Sequence, residues 1–142
     1  MYLKTKSVKV ANNQAVKAGS LAVQSGEYLA QGIFLIEEVE AEENYRYILQ
    51  ENLGLDSSMQ PLGKSILQSG LDIKEIEVIN AHEKIEGSEE IIYYSETLDS
   101  NFTIKKPTVF SVIQFEYRGI FIKRIITIAK MSSSNLIEDP YM

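Results

Sequence analysis

The strongest secondary-structure signal in the chain lies at residues 109–130, which read VFSVIQFEYRGIFIKRIITIAK. Val109–Tyr117 and Ile120–Ala129 are rich in valine, isoleucine and phenylalanine, which are enriched in β-strands. Arg118-Gly119 between them is a suitable two-residue hairpin connection. At about 3.3 Å per residue, each strand would span about 30 Å. We therefore expect a long C-terminal β-hairpin that can project from its own sheet or extend a neighbour's.

The sequence before this hairpin predicts further strands and one helical segment. Apolar residues recur from Ile73 to Ile79, and Ile91–Tyr94 reads as a short strand before the turn Asp99-Ser100-Asn101. A helix is predicted over Glu42–Leu53, with Gly54 as its stop. The positions with the spacing of one helical face are Tyr45, Ile48, Leu49 and Leu53. A second short helix is predicted between Pro61 and Gly70, so the helical segment covers residues 42–70.

The first 39 residues read as short strands separated by turns. LKTKSVKV at Leu3–Val10 has lysines at positions that a strand would open to water, and turns are expected at residues 12–13 and 17–20. Two short β segments follow at residues 21–24 and 28–30. Ile33–Val39 (IFLIEEV) begins with a continuous apolar run, which favours a strand that is buried on both faces.

These elements predict a mainly β fold with a helical insertion, a β-sandwich or barrel of the α+β class. The length of 142 residues fits a single domain over residues 1–142. It would have strands over residues 3–39, the helical segment at 42–70, strands over 73–130 and a polar tail at 131–142.

The residue inventory offers little for catalysis. The chain has no cysteine and one histidine, so thiol chemistry and cysteine-based zinc sites are excluded and a catalytic triad has only His82 as its base. Ser58-x4-Gly63-Lys64-Ser65 departs from the phosphate-binding P-loop because serine replaces its first glycine. His82-Glu83-x-x-Glu86 lacks the second histidine of a zinc-peptidase helix. We therefore expect no enzyme activity, no catalytic residues, no cofactor and no bound metal.

Charge is distributed very unevenly along the chain. Residues 1–26 carry four lysines and no acid, residues 27–101 carry 17 acids and four bases, and residues 102–130 carry six bases and one acid. One interpretation is that basic strands pair with acidic strands inside one sheet. The other is that acidic and basic faces of neighbouring copies meet head to tail. The net charge of −6 argues against nucleic-acid binding.

Part of the chain resembles small β-domains of phage head fibre and head decoration proteins. The similar residues are AVKAGSL at 15–21, Gly26, and AQGIFLIEEV at 30–39. In those domains a V-K-A-G-[ST] turn leads into a strand, and a glycine with four apolar residues, two acids and valine follows. The predicted helix and long hairpin look more like those of phage tail-tube and neck subunits. The resemblance implies a virion structural protein without fixing head or tail, and it brings no catalytic residues.

The leading functional hypothesis is a non-enzymatic assembly subunit of a phage virion, a capsid auxiliary or decoration protein or a tail or neck subunit. Its partners would be other copies of itself or other virion proteins, without nucleic acid or membrane. It would be made in the host cytoplasm and located in the virion. The candidate interface residues are Phe115, Tyr117, Arg118, Phe121, Lys123 and Arg124 on the hairpin, with Lys4, Lys6 and Lys9 facing Glu37, Glu38, Glu40, Glu42 and Glu43 of a neighbour.

The alternative is a small acidic cytoplasmic module that binds or inhibits one host protein. Such a module would not self-associate, and its binding to a basic partner would weaken with salt.

Overall fold

A computed structural model of the protein describes residues 2–23, 35–81, 83–84, 87–88, 90–118 and 121–133. Two helices, α1 (Tyr2–Ser20) and α2 (Glu38–Leu53), precede all the strands. The strands are β1 (Asp72–Asn80), β2 (Glu83–Lys84), β3 (Gly87–Ser88), β4 (Ile91–Ser95), β5 (Ser100–Ile104), β6 (Pro107–Arg118) and β7 (Lys123–Ser133). The fold is of the α+β class, as predicted, but both described helices precede the strands, so they are not an insertion between two groups of strands. In the described part of the chain, no helix is long and apolar enough to span a membrane.

The described strands form one three-stranded sheet, in the order β1-β6-β7, and two two-stranded ribbons, β2–β3 and β4–β5. All pairs are antiparallel. β1 and β7 lie at opposite edges of the sheet and do not pair, so these residues form no closed barrel.

The strands β6 and β7 pair without a register shift from Thr108/Ser133 to Arg118/Lys123. The predicted connection Arg118-Gly119 is therefore wrong, because Arg118 still belongs to the β6–β7 ladder. Gly119 and Ile120 lie outside the described residues. Residues 131–133 belong to β7 and not to the expected polar tail, and residues 134–142 lie outside the described part.

The predicted strand at Leu3–Val10 is wrong, because this segment is part of α1. The buried side chains Val8, Ala11, Ala15 and Val16 lie at positions i, i+3, i+7 and i+8, which is the spacing of one helical face. The lysines that suggested an open strand lie on the rest of the helix surface. The expected turns at residues 12–13 and 17–20 are also helical.

The strand predicted at Ile33–Val39 is wrong over its described part, residues 35–39, and residues 33 and 34 lie outside the described residues. Ile36 forms only an isolated bridge with Val23, and α2 begins at Glu38. The predicted segment at residues 21–24 contains a turn and that bridge, and Gln24 and residues 28–30 lie outside the described part.

Helix α2 confirms the predicted helix but begins four residues earlier than expected. The Glu37 carboxylate accepts hydrogen bonds from the backbone N–H groups of Val39 and Glu40 and so caps the first turn. The helix ends at Gly54, whose left-handed φ of 65° suits a residue without a Cβ. The second helix predicted between residues 61 and 70 is wrong, because this segment is a loop in which Leu62 and Ile66 are exposed.

The two helices pack on one face of the sheet, where α1 contacts β6, β7 and α2. Gly19 lies at the helix crossing, and a Cβ there would approach the Ala41 carbonyl oxygen to 3.0 Å. Tyr45 of α2 is fully buried, and its hydroxyl donates to Asn12 Oδ1 at 2.9 Å. The same hydroxyl lies within hydrogen-bond distance of Ser111 Oγ on β6. One buried polar cluster therefore joins both helices to the central strand.

The opposite face of the sheet carries a second apolar cluster beneath the β4–β5 ribbon. Phe110 of β6 is almost completely buried there, with its ring centroid 4.9 Å from that of Tyr93 and 5.2 Å from that of Phe102. Val112 and Ile79 complete the contact from the sheet side. The ribbon thus covers β6 and β1, and the same face of β7 lies beyond this cluster.

Candidate interaction surface

The two edges of the three-stranded sheet carry opposite charge. The edge strand β7 contains Lys123, Arg124 and Lys130 and no acid. The other edge strand, β1, contains Asp72, Glu75 and Glu77 against the single base Lys74. We call these the basic edge and the acidic edge. Because β6 lies between them, the acidic and basic strands do not neutralise one another by direct pairing within the molecule.

The acidic edge is reinforced by the first turns of α2. Partial burial, and then the nearby carboxylates of Glu38, Glu75 and Glu42, raise the pKa of Glu77 above its ordinary value. A group whose pKa is raised by neighbouring carboxylates lies in a negative potential. This edge is therefore suited to a positively charged partner.

The end of the β6–β7 pair presents apolar side chains to solvent. Phe121 is 95% exposed, and Ile122 and Ile125 are also mostly exposed. Together these three residues form what we call the apolar tip. Protein surfaces commonly expose single apolar side chains, whereas larger exposed apolar patches mark interaction sites.

An ion-pair network connects the two strands beside the apolar tip. Arg118 Nε donates to Glu116 Oε1 at 2.5 Å, and Lys123 Nζ lies 3.4 Å from the same oxygen. The hydrogen bond from Arg118, with the charge of Lys123, holds the pKa of Glu116 below its ordinary value. Arg118 and Lys123 are thereby occupied within the molecule, whereas Arg124 and Lys130 have no such partner among the described residues.

The structure places the predicted hairpin residues in different environments. Phe121, Lys123, Arg124 and Arg118 are exposed, as an interface requires. Phe115 is a correction, because it is only 3% exposed and belongs to the core beneath the helices. Phe115 pairs with Ile126 of β7. Because paired residues share one face of a sheet, both side chains turn toward α1 and α2. Tyr117 is half-buried.

The predicted lysine and glutamate sets lie on the two helices and not on strands. Lys4, Lys6 and Lys9 belong to α1, where Lys6 and Lys9 are exposed. The acids Glu38, Glu40, Glu42 and Glu43 belong to the first turns of α2, where negative charge also stabilises the helix dipole. Glu37 is the cap, and Glu42 forms an ion pair with Arg46 at 3.0 Å. These acids therefore have a structural role in addition to any contact with a partner.

Glu75 of β1 connects the β4–β5 ribbon to the three-stranded sheet through hydrogen bonds. Its two carboxylate oxygens accept hydrogen bonds from Tyr93 Oη and Ser95 Oγ, each at 2.6 Å. Partial burial raises the pKa of Glu75, but the hydrogen bonds from Ser95, Tyr93 and Thr97 outweigh it and leave that pKa below its ordinary value of 4.5. The carboxylate therefore stabilises the fold in its charged form.

Glu75→Gln is expected to lower the free energy of unfolding at neutral pH. The folded-state pKa of Glu75 lies below the unfolded one, so its contribution is complete above about pH 4.5 and is lost as pH falls through the lower folded value. Urea denaturation of the natural protein and of Glu75→Gln between about pH 3 and pH 7 should show that the difference between their free energies of unfolding becomes smaller as the pH falls. Glu51→Gln, on the exposed side of α2, is the matched control. A difference that stays constant with pH would contradict this role for Glu75.

Sequence motifs that invited a chemical interpretation have structural roles or lie outside the described part. Ser65 Oγ donates to the Leu53 carbonyl oxygen at 2.6 Å and accepts from the Leu67 N–H at 3.1 Å, so it fixes the loop after α2. His82 and Glu86 lie outside the described residues. Among the residues that are described, no three histidine or acidic side chains are grouped as metal ligands would be.

Sequence reasoning missed part of the surface on β7. Met131 is 40% exposed and Ile125 is 63% exposed, and Ala129 between them is exposed as well. Strand alternation could have shown this, because Ile126 and Ile128 turn inward and their neighbours must turn outward. The sequence alone did not show that the outward face of this strand lies beyond the ribbon.

Comparison with known proteins adds no family assignment. No protein-family model matches the chain, and no curated protein or solved structure matches it significantly.

Proposed function

We propose that the protein is a non-enzymatic assembly subunit that binds other copies of itself through the edges of its three-stranded sheet and the apolar tip. The observation that carries this proposal is the opposite charge of the two free sheet edges. Attraction between oppositely charged surfaces guides association and sets the register of the partners. The exposed apolar side chains of Phe121 and Ile125 provide surface whose burial favours association.

The sequence left two interpretations of the uneven charge, and strand order favours the second. Direct pairing of acidic and basic strands would have neutralised both within one sheet. Instead β6, which separates them, carries a single acid and a single base, Glu116 and Arg118, that contact each other. Asp72 pairs with Lys74, Glu75 accepts hydrogen bonds from the ribbon and Lys123 contacts Glu116. The charges of Glu77 on β1 and of Arg124 and Lys130 on β7 have no such partner among the described residues and remain available to a neighbouring molecule.

We further propose that this subunit belongs to a phage virion, as a capsid auxiliary or decoration protein or a tail or neck subunit. The support is the sequence similarity at residues 15–39 and the combination of a helix with two long paired strands. Within that similarity, residues 15–20 form the end of helix α1 and not a turn, and Glu38 and Val39 begin helix α2 and do not end a strand. The assembly proposal does not depend on the virion assignment, because it rests on the charge and exposure of the sheet edges.

Phe121→Ser combined with Ile125→Thr is expected to weaken self-association at least tenfold while the monomer remains folded. Both side chains are largely exposed, so their loss removes little from the core, but burying them between subunits would contribute a few kcal/mol. Sedimentation velocity over a concentration series measures the association, and circular dichroism checks the fold. Leu62→Ser, at a 54% exposed position in the loop after α2, is the control. Equal self-association of the natural protein, the double variant and Leu62→Ser would exclude the apolar tip as a contact.

The small acidic binding module remains the second candidate, and the exposed Glu38, Glu40 and Glu43 of α2 favour it. It requires a protein that stays monomeric at all concentrations and binds a basic partner with one-to-one stoichiometry. The sedimentation series separates it from the assembly subunit, because only the subunit changes mass with concentration.

A further inference from the structure

We propose that the edge of β7 in one molecule pairs with the edge of β1 in a second copy, in parallel orientation, so that the three-stranded sheet continues from subunit to subunit. This inference rests on the proposed assembly function and specifies its contact. It assigns different surfaces of the chain to the two sides of the interface. Such a head-to-tail contact forms rings if the rotation between subunits closes and filaments if it does not.

The shape of β7 suits the addition of a strand. It is 11 residues long, contains no proline and pairs with β6 without a register shift. Long regular edge strands present unpaired N–H and C=O groups, and proteins usually interrupt such edges with proline or a bulge. In β1 the only irregularity lies between Ile73 and Glu75, and Glu75–Asn80 is regular. Neither outer edge is paired with a strand in the part of the chain that the structure describes.

The direction of the strands determines the orientation of the pair. β1 and β7 are both antiparallel to β6 and therefore run in the same direction. A second copy placed by translation across the sheet keeps its helices on the same side and brings its β1 parallel to β7. Gln114 of β6 pairs with Asp72 on one side and Thr127 on the other, so these two residues lie at the same level of the sheet.

Charge favours this contact over a symmetric one between two copies of β7. An antiparallel β7–β7 pair centred on Thr127 would place Arg124 of one copy directly opposite Lys130 of the other. Like charges directly opposite across two strands are destabilising. Pairing β7 with β1 avoids this opposition. In this register Lys130 lies at the level of Ile76, between Glu75 and Glu77 of the neighbour. Lys123 and Arg124 lie beyond the end of β1. The acidic first turns of α2 lie on the β1 side and add to the attraction.

The apolar side chains of β7 fit the same arrangement. Met131 and Ala129 pair with Phe110 and Val112 of β6, so they face the side of the sheet on which the β4–β5 ribbon lies. Both are exposed because the ribbon of their own molecule covers only β6 and β1. Translation of a second copy places the next ribbon on that same side. The exposed strip on β7 then lies beside a neighbour's ribbon.

Single cysteines test the contact directly, because the natural chain contains none. Thr127→Cys and Asp72→Cys are made as separate proteins, since both side chains are exposed and lie at the same level of the sheet. Each protein alone, and then an equimolar mixture, is treated with a short bis-maleimide whose reach tolerates a shift of one or two residues. Glu51→Cys, on the exposed side of α2, mixed with each of them is the control.

The proposal predicts covalent dimers in the mixture of Thr127→Cys with Asp72→Cys, at least tenfold more than in either protein alone or in the Glu51→Cys mixtures. Dimers formed by Thr127→Cys alone would show a symmetric β7–β7 contact and overturn the proposal. Self-association by sedimentation without cross-linking in the mixture would overturn it too, while leaving the assembly function intact. A strictly monomeric natural protein would instead refute the proposed function itself.

Discussion

Replacing Tyr45 by alanine is expected to lower the free energy of unfolding by about 5 kcal/mol, a large part of the stability of an ordinary domain. Tyr45 is fully buried between α1, α2 and the sheet. The loss of a large aromatic side chain leaves a cavity that the surrounding helices fill only in part. The substitution also removes the hydroxyl that bonds to Asn12 and Ser111, which remain hydrogen-bonded to each other, and so adds the cost of lost buried hydrogen bonds.

Tyr45→Phe separates the hydroxyl from the ring. It retains the packing and removes only the hydrogen bonds, so we expect a loss of about 1–2 kcal/mol. Tyr47→Ala, two residues away on the same helix and 60% exposed, should change stability by no more than about 0.5 kcal/mol. Because the chain has no tryptophan, urea denaturation is best followed by circular dichroism. Equal midpoints for Tyr45→Ala and Tyr47→Ala would contradict the described helix packing.

Arg124→Glu is expected to weaken self-association roughly tenfold, because it reverses a charge of the basic edge that has no ion-pair partner among the described residues and so reduces the attraction between the two edges. Lys123 is another basic residue of this edge. However, Lys123 also contacts Glu116, so reversing it would disturb the monomer as well. Arg124 is exposed and forms no ion pair with a described residue, so its reversal should leave the fold unchanged.

Lys64→Glu is the matched control, because it makes the same change in net charge in the exposed loop after α2. If net charge alone governed association, both variants would behave alike. If the basic edge is the contact, sedimentation gives a lower assembly mass for Arg124→Glu than for Lys64→Glu. This difference in mass becomes smaller at high salt, because exposed charges are screened. Unchanged association of Arg124→Glu would show that the charge of β7 has no part in assembly.

The elements that sequence predicted well are those whose residue pattern has only one explanation. Val109–Ile113 is buried on both faces, which agrees with its continuous β-branched and aromatic character. Tyr45, Leu49 and Leu53 lie on the buried face of α2 at the spacing that predicted it. Gly54 ends the helix in the left-handed conformation that this residue type favours.

Helix α1 was not predicted from the sequence, because its buried face consists largely of small residues and of residues that also occur in strands and turns. Ala11, Ala15 and Gly19 give little hydrophobic contrast, although Gly19 allows the backbone of Ala41 to come close. Asn12 suggests a turn in isolation, since asparagine commonly hydrogen-bonds its own backbone there. In the fold it is buried and receives the Tyr45 hydroxyl, a partner 33 positions away. A contact of that range is not visible in local sequence.

The candidate surface was predictable in composition but not in arrangement. Basic residues on the last strand and an exposed Phe121 could be read from the sequence. Phe115 was misplaced because alternation shows that residues share a face without showing which face the helices cover. The placement of β1 and β7 at opposite edges of the sheet could not be predicted from the sequence. It depends on β6 lying between these two strands, which are distant in the chain.

Light scattering behind size exclusion, over a concentration series at low and high salt, tests most directly whether the protein assembles through its charged edges. We expect a mass above the 16.1 kDa of one chain that grows with concentration and falls as salt screens the edges. A strict monomer at every concentration and salt would contradict the assembly function.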